Sequence, residues 1–293
     1  PDEALRIEDK SVSILGSGIY TIDCGECTKG IRIYNNTGDV KTVTFNKVSV
    51  VNNNAQGRCV DTRTGNIDLL FYVANLTATG TNSQPLTIGG NDPAYRVRIQ
   101  NGKIDAGNSG YGVICFVPVQ NGIHASSNVT ISGLSAFYLK EGTDNTQLNI
   151  GQGTYVGTNN HPEESGSFGT VVLEGTNNQV ILNNEKVVLK SVASSGAPQA
   201  VFNFRGEGNT VNFKKEATTV TEGANASLVM AKSDVAASSS ITRGGKTLAF
   251  VAECEGEQFV SLSEAVNCIS DANVKLLADV TLDTNIVIES GKN

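Results

Sequence analysis

The chain has no tryptophan, one methionine, six prolines and two histidines in 293 residues. Two histidines, His124 and His161, cannot build an imidazole-rich metal centre. Both stand in loop-like sequence (Asn121-Gly122-Ile123-His124, Asn160-His161-Pro162) and read as surface loop residues. Charged residues are 17% of the chain, and no basic run exceeds Lys214-Lys215. Without a clustered basic face, and with a formal net charge of −7, the sequence argues against nucleic acid as a partner. No stretch of about 18 apolar residues occurs, so no segment reads as a membrane-spanning helix. No signal peptide is visible, and the opening Ala4-Leu5-Arg6-Ile7 is already strand-like, which reads as a processing boundary.

What is abundant is glycine, at 31 residues, together with Asn, Thr and Ser. These favour turns and strand edges over helices, so the chain is β-rich. A pattern of apolar-x-apolar-x-x-(apolar or Gly)-x-apolar recurs. It runs through Val43, Phe45, Val48 and Val50, with later copies beginning at Phe71, Val97, Val129 and Leu148, and a poorer one at Val12, Ile14, Ser17 and Ile19. From Val43 the starts are 28, 26, 32 and 19 residues apart. Alternation on both sides of a two-residue gap means two short strands, each with one buried face, joined by a bend. Small polar pairs fill the gap, among them Asn46-Lys47, Gln100-Asn101 and Gly151-Gln152. A third short strand follows in most copies: Cys59-Val60, Leu86–Ile88, Val113–Phe116, Phe137–Leu139, Val171–Leu173 and Val201–Phe204. Three strands and three bends in roughly 20 to 30 residues describe one coil of a solenoid.

The competing fold is an antiparallel sandwich. Its two-residue hairpins need Asn-Gly or Asp-Gly turns, and only Asn101-Gly102, Asn121-Gly122 and Glu141-Gly142 come near. The sequence therefore predicts an all-β, right-handed parallel β-helix with three-strand coils over residues 1–213. Residues 214–250, rich in Ala, Ser and Thr, read as a linker or irregular β structure. Residues 251–293 read as a small α/β cap: Ser261 to Ile269 is the clearest helix, with Ser261 and Glu264 spaced as a capping box. Strands are expected after it at Val274–Leu277 and Asn285–Ile288.

The run EGEQFVSLSEAVNCISDANVKLLADVTLDTNIVIESGKN, residues 255–293, resembles the module that opens pectin-lyase-like β-helix repeats in surface proteins of Gram-positive gut bacteria. There a strand, an SLSEAV-type helix and an IKLLADVTL strand cap the first coil, and the next begins after a GK turn. The resemblance implies a parallel β-helix, a cell-surface location and tandem units; it names no ligand. The end of the chain, Ile286 to Asn293, also looks like its start, Leu5 to Ser11, with one extra residue. Tandem units in a longer protein, or head-to-tail capping of one molecule by another, would each produce that match.

Six cysteines suit an oxidising location. Cys59 and Cys115 fall two coils apart, too far to bridge, and read as buried fillers. Cys254 and Cys268 flank the cap strand and helix, where a disulfide would staple them. Cys24-Gly25-Glu26-Cys27 is a lone CxxC, read as a tight disulfide or two free thiols.

Catalysis by a β-helix would need a carboxylate cluster for Ca2+ with a base, or two carboxylates at a fixed separation. The Asp-Asp and Gly-His-Gly motifs of polygalacturonases are absent. The best polar cluster is Asp61, Arg63 and Asp68, expected to ring one turn, with Asp39 or Asp105 joining from neighbouring coils. It could hold Ca2+ or an anionic sugar, or be a salt-bridged turn. Tyr95 and Tyr111 could stack on sugars or pack at the rim. No Thr-x-Thr ladder supports ice binding, and the Asn-x-Ser/Thr sequons at Asn35, Asn75, Asn128 and Asn225 are what an Asn- and Thr-rich chain produces by chance. The sequence thus reads as a non-enzymatic extracellular adhesin or stalk unit binding a glycan or protein. A self-assembling filament subunit, or a polysaccharide lyase or hydrolase, stands as the alternative.

Overall fold

A strand that alternates apolar and polar residues buries one face, and three such strands per coil close around a single core. A computed structural model describes residues 2–18, 20–159, 168–194, 197–268, 273–282 and 285–286. It is all-β, a right-handed parallel β-helix in which each coil adds one strand to each of three sheets, A, B and C in turn. One coil, for example, consists of Arg58–Thr62 in A, Ile67–Tyr72 in B and Asn75–Thr77 in C. Eight coils run from Glu3 to Glu222. All six third strands expected from the sequence lie in sheet A.

The register corrects the repeat. In sheet B Val43 lies beside Leu69, then Val97, Ile123, Leu148 and Val180, so coils are 26, 28, 26, 25 and 32 residues long here. Phe71 belongs beside Phe45 and Ile99, two residues out of the expected phase. Val129 opens a sheet C strand and pairs with Gly153. A slip of two residues keeps the same face inward, so the alternation alone cannot detect it.

The bend between sheets B and C is a column of left-handed residues: Lys47 (φ 53°), Val73 (φ 52°) and Asn101 (φ 52°). Each donates its N–H to the next coil, Lys47 to Tyr72 O at 3.0 Å, Val73 to Gln100 O at 2.9 Å and Asn101 to Ser127 O at 2.9 Å. Val73, expected to point inward, is therefore at the corner and 36% exposed. Gly102 follows because a Cβ there would lie 2.4 Å from Ala74 O.

Residues 214–250 are not a linker. Thr218–Glu222, Ala226–Lys232 and Ser240–Arg243 continue sheets C, A and B in parallel register. Composition misleads there because small residues dominate, yet Val229 and Ile241 still point into the core and are fully buried. The parallel order stops after them. Glu257–Phe259 pairs antiparallel with Ala226–Lys232, Ala252–Cys254 with Glu257–Phe259, and Lys275–Leu276 with Ala252–Cys254. The helix Leu262–Cys268 packs beside these strands, as expected for the cap. The second expected strand, Asn285–Ile288, lies mostly outside the described residues.

Inside, Phe45 and Phe71 stack with centroids 5.0 Å apart and planes 11° from parallel. Such a pair adds roughly 0.5–1.5 kcal/mol to the burial of its area. Later coils are also fastened by buried amides at the A-to-B turn. Asn178 Oδ1 accepts the Thr146 N–H at 2.9 Å and Asn209 Oδ1 accepts the Asn178 N–H at 2.8 Å. Asn209 Nδ2 in turn donates to Gly175 O and Gly206 O, both at 2.7 Å.

Candidate functional site

In the strand Arg58–Thr62 Val60 points into the core, so Asp61 projects from the outer face of sheet A. Its register partner in the preceding coil is Arg32, and Arg58 and Arg63 stand on either side of it along the chain. All three guanidiniums close over the carboxylate: Arg63 Nε at 2.9 Å, Arg58 Nη1 at 3.1 Å and Arg32 Nε at 3.4 Å. The Asp61 side chain is 0% exposed. Arg32 also reaches Asp2 and Glu3, at 3.6 and 3.8 Å, and it and Arg6 lie over the Tyr34 ring.

Asp68 does not join this cluster. Between Arg63 and Ile67 the chain turns from sheet A to sheet B, so Asp68 projects from a different face. There Arg96 donates to it at 3.2 and 2.8 Å, and Arg98 at 3.2 and 3.0 Å. Asp39 pairs with Lys41 at 3.6 Å. Asp105 is on sheet C, against Lys103, the Gly107 N–H and Ser132. Although burial would raise it, hydrogen bonds led by Lys103 hold the Asp105 carboxyl below its ordinary value. Of the expected ring, Asp61 and Arg63 do meet on sheet A, while Asp68 stands apart on sheet B and Asp105 on sheet C, each with its own ion pairs. The guanidiniums around Asp61 and Asp68 also make each a poor Ca2+ ligand, since the cations already present oppose another. Among the described residues no group of three or more His, Cys, Asp or Glu is placed to hold a metal ion.

Beside the Asp61 cluster lies a groove of about 450 Å3, lined by Asp2, Thr28, Lys29, Gln56, Arg58, Asn82 and Gln84. Four consecutive coils build it, each contributing polar residues just before or at the start of its sheet A strand. Thr28, Gln56 and Gln84 stand on successive coils, although the sheet A register there steps by 29 residues (Ile31 to Val60) and then 26 (Val60 to Leu86). Sequence reading passed over these polar residues because attention went to apolar positions, and their spacing does not follow the coil register. The groove already holds one carboxylate. Asp2 accepts from Thr28 Oγ1 at 2.6 Å and from Lys29 Nζ at 2.8 and 2.9 Å. The Lys29 bond first, then Thr28, lowers its pKa to about 2.

Tyr111 packs on Tyr138, ring centroids 5.2 Å apart, and Tyr138 donates to Glu174 at 2.8 Å. Tyr95 lies beneath Arg96. His124, expected in a loop, stands in the sheet B strand Ile123–Ser126 beside Arg98, with its Nε2 2.8 Å from Asn121 O, and His161 lies outside the described residues. Cys59 and Cys115 are fully buried, and burial pushes both thiols up. Cys24 and Cys27 are buried and unbridged, closing a turn in which the Cys27 N–H donates to Cys24 O at 3.2 Å. Burial first, then the neighbouring Cys27, raises the Cys24 pKa to about 11. Cys254 is buried in the cap, and the side chain of its expected partner Cys268 lies outside the described residues.

Compared with family models, curated proteins and solved structures, the chain matches none.

Proposed function

We propose that this chain is a non-enzymatic unit of an extracellular bacterial surface protein, a rigid spacer that binds a glycan along sheet A. The observation that carries the reading is the groove built from four coils, with side-chain amides at Gln56, Asn82 and Gln84, a hydroxyl at Thr28 and cations at Lys29 and Arg58. Amide and hydroxyl groups set on successive coils suit a ligand that is itself a repeating chain of hydroxyls, and the cations suit acidic sugars. Nine sheet A strands at about 4.8 Å give a rod of roughly 40 Å. The bacterial surface assignment rests on the likeness of residues 255–293 to the opening module of pectin-lyase-like repeats. Asp61 and Asp68, the carboxylates on which hydrolysis or Ca2+-assisted elimination would have depended, are each held by arginines on separate faces. Glycan-array binding by the chain, set beside Arg58→Ala with Gln84→Ala, tests the proposal. We expect acidic oligosaccharides retained by the wild type, at least tenfold weaker binding by the double variant, and no chain shortening. An array without a binder, or depolymerisation of any glycan, would overturn it.

A second reading, head-to-tail assembly, is favoured by the first coil. Its strands Glu3–Glu8, Val12–Leu15 and Thr21–Asp23 are paired on one side only among the described residues. An open cavity of about 700 Å3 there is lined by Leu5, Ile7, Val12 and Ile14 together with the charged Arg6, Glu8, Asp9 and Lys10. A second copy of the chain would pair with that exposed strand edge. Light scattering over a concentration series tests this: growth by whole units means copies stack, and a constant 30.7 kDa means they do not.

A further inference from the structure

The helix Leu262–Cys268 carries one residue that does something other than its motif predicts. Half of the capping box is made, with the Glu264 N–H donating to Ser261 Oγ at 3.4 Å. The Glu264 carboxylate, however, crosses to the last coil, where Oε1 accepts the Leu228 N–H of the strand Ala226–Lys232 at 2.9 Å. Its Oε2 is buried without a hydrogen-bond partner. The apolar contact between cap and coil is formed around it by Met230, Ala252, Phe259 and Ala265, all buried, with Leu262 at the edge. Glu264 therefore ties the helix to the solenoid backbone.

We propose that Glu264 is a proton-operated catch that seats the C-terminal cap on the last coil when protonated and loosens it when ionised. An ionised carboxylate in this place would bury a charge with one donor for two oxygens, whereas the neutral acid keeps the Leu228 bond without that charge. Burial, offset in part by the Leu228 bond, raises the Glu264 pKa to about 7. The charged groups on the elements packed against the helix are accounted for elsewhere. Lys232 pairs with Asp234, Glu253 accepts from Gln258, and Glu257 pairs with Arg205. Glu257 is also raised, by burial against the pull of Arg205, so its contribution must be separated by mutation.

The sign follows from the raised pKa. Seating is strongest below about 4.5, the ordinary value, weakens as the pH climbs toward about 7, and is level above it. Hydrogen exchange of the full chain, corrected for the intrinsic pH dependence of amide exchange, reads this in peptides spanning 226–232 and 252–268. Opening of the wild-type cap is expected to rise at least about tenfold between pH 5 and pH 7.5. Glu264→Gln, which keeps an acceptor for Leu228 and cannot ionise, should flatten that rise while the solenoid peptides stay protected. Glu264→Met serves if the glutamine variant fails to fold. Parallel profiles for wild type and variant, or a flat wild type, would overturn the proposal, because a merely structural Glu264 changes stability without changing its pH dependence.

Discussion

Asp61 and Glu264 are two buried carboxyl groups handled in opposite ways. In the solenoid, Asp61 meets three guanidiniums drawn from two coils. In the cap, Glu264 meets one backbone N–H and no cation. The difference comes from repetition. A residue in a parallel stack has counterparts one coil away on each side, so a demanding group can recruit partners from neighbours already in register. The antiparallel cap occurs once, and its buried acid has only what one strand offers. Burial in the stack is thus compensated by charge, and burial in the cap by the proton.

The largest effect that would test this contrast is at Asp61. Asp61→Leu removes the shared anion and leaves Arg32, Arg58 and Arg63, between 18% and 30% exposed, crowded together. Breaking a buried pair from one side costs roughly 3–5 kcal/mol, and the partial exposure of the arginines puts the expected loss near the lower figure, about 3 kcal/mol. Urea unfolding followed by circular dichroism measures it. A loss under about 1 kcal/mol would mean that water compensates the guanidiniums, and the contrast with Glu264 would disappear.

The same contrast explains what could be read in advance. Positions that repeat were legible: the inward columns at Val43, Val97 and Leu148, and all six third strands of sheet A. Phase was less so, because moving Phe71 by two residues leaves its face unchanged. The last coil was hidden by its small residues, although Val229 and Ile241 follow the pattern. The candidate site failed for another reason. Asp61 and Arg63 do meet, but the four-residue corner 63–66 carries Asp68 to another sheet, so for Asp68 nearness along the chain was mistaken for nearness in space. Arg96 and Arg98, which hold Asp68, come from the following coil, and only the register identifies them.

The smallest effect sharpens the comparison most, because in a repeat a column can be judged against its own members. Lys47, Val73 and Asn101 share the same left-handed corner within a degree of φ. Asparagine tolerates that region well, while a β-branched residue is a genuine outlier there. Val73 holds its place because its N–H is fixed to Gln100 O and its neighbours are fixed likewise. Its side chain is 36% exposed, so little burial is lost on replacement. Val73→Asn should therefore stabilise the chain by about 1 kcal/mol, with a higher urea midpoint and an unchanged slope. Val73→Gly should gain less, since the added freedom of the unfolded chain offsets part of the relief. Asn101→Val, the reverse change one coil on, should lose a similar amount. If Val73→Asn were neutral, the stack would be sharing strain along the column as it shares charge at Asp61, and the cost of a poor residue in one coil would be spread over its neighbours.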